Sequence, residues 1–273
     1  MKRNFKDARP RNDARRPAAK VHDRPSGPTP TYGVLPVLEA LRAHARRIDK
    51  IVVAEGGREK RLQEIFDLAR ASGVRVDRVP REALERLVEP AANHQGVVAF
   101  AAASEYVSVD EILDGVPNTK KPLLVILDGV EDPRNLGAVL RSAECAGADG
   151  VIIPDRRAAG LTETVAKSSA GAIEYVKVAK TTNLNRLIED LKARNIWVVG
   201  TSGDAVTNYT DWDWTGPCAL VLGAEGSGLH RLVAENCDVL VKIPMYGKID
   251  SLNVSVAAGV ILFEARRQRS QKD

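Results

Sequence analysis

No apolar run in the 273 residues is long enough to cross a membrane, and no apolar signal core stands near the start. The opening is Arg-rich, as a transit peptide is, but Asp7, Asp13, Asp23 and the prolines among them fit that poorly. The cysteines, Cys145, Cys218 and Cys237, are odd in number, scattered and free of CxxC spacing. Such a set predicts reduced thiols in a cytoplasmic protein. His22, His44, His94 and His230 are equally scattered and form no zinc pattern, so no metal is expected. The dinucleotide fingerprint is missing too. Residues 223–228, GAEGSG, space their glycines as GxxGxG, and no Lys-Ser/Thr follows to make a Walker loop.

The chain carries 40 Lys/Arg and 36 Asp/Glu, unevenly placed. Residues 1–30 hold nine Lys/Arg against three Asp, which leaves 31 basic and 33 acidic residues for the rest. The basicity that suggests an anionic partner therefore sits mostly in a tail. That tail has almost no large apolar residues and is expected to be disordered, attracting RNA or simply solubilising the protein.

Order is expected from near Tyr32. The spacing predicts helices over 34–43, 58–71 and 81–88 and strands over 48–54, 74–79 and 96–101. That makes a small α/β domain over 31–104, followed by a linker, 105–121, with one short helix. A second domain, 122–273, opens with LLVIL, residues 123–127. Continuous apolar residues there predict a strand buried on both faces of a parallel sheet. Further strands are expected over 150–153, 196–200, 219–222 and 239–243, with a helix over 183–194 and helices begun by Asn135 and Ser251 as N-caps. The last helix is expected to present Leu252, Val256, Val260 and Phe263 on one face. Strands alternating with helices predict an open, doubly wound, mostly parallel sheet.

Ligands of such sheets bind beyond the carboxyl ends of the strands. Four junctions there are polar. The first is DGVEDPRNLGAVLRSAECAGA, with Asn135 as a cap and Arg141 off the apolar stripe of its helix. Gly200-Thr201-Ser202-Gly203 would let backbone approach a flat ligand. The GAEGSG loop puts Glu225 where a phosphate would be repelled, which suits an Arg, a ribose or a cationic ligand instead. Last, SLNVS crowds Ser251, Asn253 and Ser255 into a turn that needs only one cap.

Together these stretches resemble the SpoU (TrmH-like) branch of the SPOUT RNA methyltransferases, and most of all the bacterial 23S rRNA guanosine 2′-O-methyltransferases. The three motifs are DPRNLGAVLRSAECAG (132–147), LVLGAEGSGL (220–229) and IPMYGKIDSLNVSVAAGVILFEA (243–265). The preceding domain, with YGVLPVLEAL and NHQGVVA, is similar to the family's substrate-binding domain, whose fold is like that of certain ribosomal proteins. The resemblance implies a deep trefoil knot in the parallel C-terminal domain, where the residues alone suggest an open sheet. It implies S-adenosylmethionine as methyl donor, held by Gly200, Thr201, Ser202, Leu222, Gly223, Gly226, Ile243, Met245 and Leu252. It implies a catalytic group of Asn135, Arg141, Glu225, Ser251 and Asn253. It also implies RNA, 23S rRNA above all, as partner, and a homodimer with residues of both subunits at each site. The family role for Arg141 is a base helped by the substrate's phosphate. Free arginine is essentially always protonated, so a phosphate clamp that stabilises the developing alkoxide is the chemically simpler role.

Three other readings compete. A tRNA 2′-O-methyltransferase would have less use for a separate recognition domain. A non-catalytic ribosome-assembly protein would not need Asn135, Arg141, Glu225 and Asn253 together. A metabolic nucleotide enzyme would want the phosphate loop that is missing.

Overall fold

The computed structural model describes residues 29–56, 59–89 and 92–271. Residues 1–28, most of the basic tail, lie outside the described residues.

The first unit runs β1 (Thr29–Tyr32), α1 (Val34–Ala43), β2 (Ile48–Ala54), α2 (Glu59–Ala71), β3 (Arg75–Val79), α3 (Arg81–Glu85) and β4 (Val97–Ala101). Its sheet has the order β1-β4-β2-β3, with β2 and β3 parallel and the other pairs antiparallel. β1 was not expected from the sequence: TPTY carries little apolar signal and is held as an edge strand by β4. Gly33 follows it at φ 98°, a left-handed position that only glycine takes without strain, and turns the chain into α1. Val37, Leu38 and Leu41 of α1 and Leu62, Ile65 and Ala69 of α2 close one face of the sheet.

The second unit continues with α4 (Val109–Asp114), β5 (Leu123–Asp128), α5 (Pro133–Ala146), β6 (Gly150–Pro154), α6 (Glu163–Ser168), β7 (Val178–Thr181), α7 (Leu184–Ala193), β8 (Trp197–Thr201), β9 (Thr207–Asn208), β10 (Cys218–Gly223), α8 (Arg231–Asn236), β11 (Val239–Lys242) and α9 (Val254–Ser270). Its seven strands pair in parallel in the order β7-β6-β5-β10-β8-β11-β9. The buried run of β5 has its cause in two cores. Leu123, Val125 and Leu127 face α5 and α9, while Leu124 and Ile126 face α4, α7 and α8.

The two units meet through α6 and β1 and through a buried ion pair. Arg46 Nε donates to Glu174 Oε2 at 2.8 Å and Arg46 Nη1 to Ala102 O at 2.9 Å. The Arg46 and Glu174 side chains are 9% and 1% exposed.

Two helix starts differ from the sequence expectation. α5 is capped by Asp132, whose Oδ1 accepts from Arg134 N at 2.7 Å, with Pro133 behind it in the first turn. Asp followed by Pro is the stronger start signal, and it moves Asn135 one turn inside the helix. α9 is capped by Asn253 rather than Ser251. The face of α9 differs as well. Val254, Ala258, Ile261, Leu262 and Ala265 are buried, whereas Leu252, Val256 and Phe263 are exposed. The helix is apolar on two sides, and the expected stripe is the one that α5 leaves uncovered. α6 and β7 were not expected: Val165 and Ala166 are the only buried residues of α6, too few to give a periodic signal.

Candidate active site

β10 ends in a tight hairpin. Ala224 and Gly228 exchange backbone hydrogen bonds of 3.1 and 2.9 Å, so the loop folds back over its own start. A Cβ on Gly223 would lie 2.1 Å from Gly228 C, which makes glycine obligatory there. Gly226 closes the tip at φ 80°. The hairpin aims Glu225 at the first turn of α9.

Three side chains from three distant motifs meet at that point. Asn253 Oδ1 accepts from Ser255 N at 2.9 Å and from Val256 N at 3.4 Å, capping α9. Those donors fix the amide orientation and leave Asn253 Nδ2 to donate twice: to Asn135 Oδ1 at 3.0 Å, and to Glu225 Oε1. Glu225 Oε1 also accepts from Val254 N at 3.4 Å, which puts negative charge at the positive end of the α9 dipole.

This wall of Glu225, Asn253 and Asn135 has a hollow on each side. One is a cavity of about 600 Å³ between the ends of β8, β10 and β11, within the range of small-molecule sites. Thr201, Ser202, Leu222, Gly223, Gly226, Ile243, Met245 and Leu252 line it, together with Ser251 and Glu225. Gly200 does not. The Cβ it lacks would fall 2.7 Å from Leu240 Cδ2 and 2.8 Å from Cys237 Sγ, so its smallness serves packing beneath the sheet. Burial pushes the Cys237 thiol up to about 12, which leaves it no nucleophilic role. The other hollow is a groove of about 450 Å³ lined by Asn135, Asp132, Arg157 and His230, with Glu225 again at its edge.

Arg141 is apart from both hollows. It stands six residues beyond Asn135 on α5, about 9 Å along the axis and on another side of the helix, and is exposed. Within this chain Glu225 engages Asn253 and not the arginine expected beside it.

Sequence reasoning missed Asp128 and His230. The buried Asp128 carboxylate at the end of β5 accepts from His230 N at 2.7 Å and lies 2.8 Å from His230 Nδ1. The one available signal was a charged residue ending a buried strand. Among the described residues no group of His, Cys, Asp and Glu could hold a metal, and no helix is long and apolar enough to cross a membrane.

The family model "SpoU rRNA Methylase family" matches residues 122–263, which carry the wall and both hollows. This chain belongs to the SpoU rRNA methylase family. A second model, for RNA 2′-O ribose methyltransferase substrate binding, matches residues 31–107, the first unit of this SpoU protein. Over 235 residues the chain is 49% identical to the 23S rRNA (guanosine-2′-O-)-methyltransferase RlmB of Ralstonia nicotianae, covering 86% of this chain and 93% of the relative. It is 46% identical over 244 residues to the enzyme of the same name from Pseudomonas syringae pv. tomato, covering 88% and 96%. Among solved structures it resembles the SpoU methyltransferase AviRb of Streptomyces viridochromogenes in complex with the cofactor AdoMet. That likeness has a TM-score of 0.73 at 27% identity and covers 90% of this chain and 92% of AviRb.

Proposed function

We propose that this SpoU-family protein transfers a methyl group from S-adenosylmethionine to the ribose 2′-hydroxyl of a guanosine in 23S rRNA. One observation carries the reading: a wall of Glu225, Asn253 and Asn135 separates a ligand-sized cavity from an open groove. The cavity's chemistry fits the donor. Its lining holds three carboxylates, Asp204, Asp250 and Glu225, against one cation, Lys242. That balance suits a cationic ligand and repels a nucleoside phosphate. Leu222, Ile243, Met245 and Leu252 would hold the donor's apolar faces, and Thr201, Ser202 and the backbone around Gly223 and Gly226 its polar edges.

Bound there, S-adenosylmethionine supplies a methyl group on a positively charged sulfonium. Every other part falls to the protein. A ribose hydroxyl is a weak nucleophile, so it must be held in line and relieved of its proton. Asn135, Glu225 and Asn253 orient it at the wall, and Ser251 does so from the cavity side. Arg141 grips the adjoining phosphate and stabilises the developing alkoxide. Because Arg141 is remote from its own wall, it serves the site of a second subunit. The exposed Val256 and Phe263 on α9, with the half-buried Val260 between them, form the proposed contact between the two subunits of a homodimer.

The strand order supports a trefoil knot: β10 is inserted between β5 and β8, β11 lies beyond β8, and α9 returns to pack on α5. Cys218 and Cys237 as free, buried or half-buried thiols accord with the cytoplasm. The 31–107 unit, matched by a model for RNA substrate binding, favours rRNA over tRNA.

The test is incubation of the purified protein with labelled donor and separate 23S rRNA and tRNA, followed by nucleoside analysis. Label in 2′-O-methylguanosine from rRNA supports the reading. Label confined to tRNA, or none, overturns it.

A further inference from the structure

We propose that His230, held by Asp128, and Arg157 grip the phosphate of the RNA strand entering the groove outside the Glu225 wall. This rests on the methyltransferase reading of that wall. Asp128 is an unusual residue to end the central strand, since its side chain is only 5% exposed. Both of its oxygens are taken up by one residue: Oδ2 by His230 N at 2.7 Å, and Oδ1 by His230 Nδ1 at 2.8 Å. A carboxylate can only accept, so Nδ1 carries the hydrogen, and Nε2 is left to donate to a phosphate when the ring is in its doubly protonated form.

Gly129, at φ 78°, lies beside the ring, where an added Cβ would come into ordinary contact with His230 Cε1 at 3.4 Å. The His230 side chain nevertheless remains 55% exposed and lines the groove. A buried carboxylate that orients a half-exposed imidazole towards an open groove is a device for presenting the ring, and packing alone does not require it.

The ligand class follows from the methyltransferase reading of the wall, and the two basic side chains say where its phosphate would be held. Glu131, Asp132 and Glu225 also line this groove and would repel an RNA backbone. Among the described residues, Arg157 and His230 are the only lining side chains that can carry positive charge. Arg157 is exposed on the loop after β6, at φ 56°, and makes no ion pair among the described residues. RNA that enters between those carboxylates needs both groups.

The test uses full-length Arg157→Ala, His230→Ala and His230→Gln, with a 23S rRNA transcript as the probe. Steady-state methylation, RNA binding against salt and titration with S-adenosylhomocysteine are measured on each. Arg157→Ala should raise the KM for RNA about tenfold and reduce the salt slope of binding by about 1, the signature of one lost phosphate contact. His230→Ala should raise KM similarly, and His230→Gln, which can still hydrogen-bond to Asp128, should recover part of it. Donor affinity should stay within about twofold in all three. Unchanged KM and salt slope in an active protein overturn the proposal. So does donor affinity falling in step with KM, because the pair would then merely brace the Glu225 loop. If His230→Ala does not fold, His230→Gln and the exposed Arg157→Ala still decide it. Failure of the wild type to methylate the transcript strikes at the methyltransferase reading instead.

Discussion

Asn253 Nδ2 donates to Asn135 Oδ1 at 3.0 Å, joining residues 118 apart in sequence. One is the cap of the last helix, and the other lies in the first turn of the helix packed against it. The amide of Asn253 also holds Glu225, so it ties all three motifs into one wall. A residue so placed has two separable jobs, to cap α9 and to hold the site.

Asn253→Ala should lose both. The cap alone is worth about 1 kcal/mol of stability. The wall loses the link between Asn135 and Glu225, so donor binding and turnover should fall together. Titration with S-adenosylhomocysteine beside single-turnover methylation checks this. Normal donor binding with the full rate loss would place Asn253 on the acceptor side alone.

The sequence pointed to this wall only in pieces. The GAEGSG loop and the SLNVS turn were visible because polar residues crowd where a strand hands over to a helix. Their mutual contact was not, since no local pattern encodes a hydrogen bond across 118 residues. Asp128 and His230, 102 residues apart, were hidden for the same reason. β5 and β10 were readable because burial on both faces demands unbroken apolar residues. The caps Asp132 and Asn253 were displaced by two or three positions because Asn and Ser nearby could cap equally well in isolation. Gly200 read as a ligand contact because small residues look the same whether a ligand or a leucine fills the space beside them.

Arg141→Lys keeps the charge but loses the forked, planar donor set. Turnover should fall at least about a hundredfold, the scale of losing one positioned transition-state donor. Donor affinity should stay near wild type by titration. Proportionate loss of both, or normal methylation, would show that Arg141 does not grip the acceptor.

If Arg141 acts across a dimer, Arg141→Lys and Asn253→Ala should complement each other. Co-refolded or co-expressed subunits should regain partial turnover, because one site of each mixed dimer is then intact. Phe263→Glu, on the exposed stripe of α9, should give a monomer by light scattering and abolish that rescue. A fully active monomer contradicts the shared site.

Glu163 gives the contact between the two units a pH dependence. Its carboxyl is pushed up to about 7, by burial first and by Glu89 of the other unit second, with Lys167 opposing. The neutral acid is the form that the fold favours. Its contribution is fully present below the ordinary 4.5 and is lost as pH rises through about 7. Glu163→Gln should therefore raise Tm at pH 8 and leave it nearly unchanged at pH 4. An equal shift at both would remove the carboxyl from this role.

Arg46→Ala removes one half of the buried pair with Glu174. A charge left buried without its partner costs about 3–5 kcal/mol, far more than loss of a surface pair. Chemical denaturation should show a loss of that size, while Arg47→Ala, whose pair with Asp49 is exposed, should lose under about 1 kcal/mol.

The central claim is transfer to a ribose 2′-oxygen of rRNA, and replacing that oxygen tests it most directly. Once the labelled guanosine has been mapped, the same RNA is made with 2′-deoxyguanosine at that one position and offered with labelled S-adenosylmethionine. The account predicts that methylation disappears while the RNA still binds. Label retained at the mapped nucleotide would mean that the methyl group goes to the base, and would contradict it.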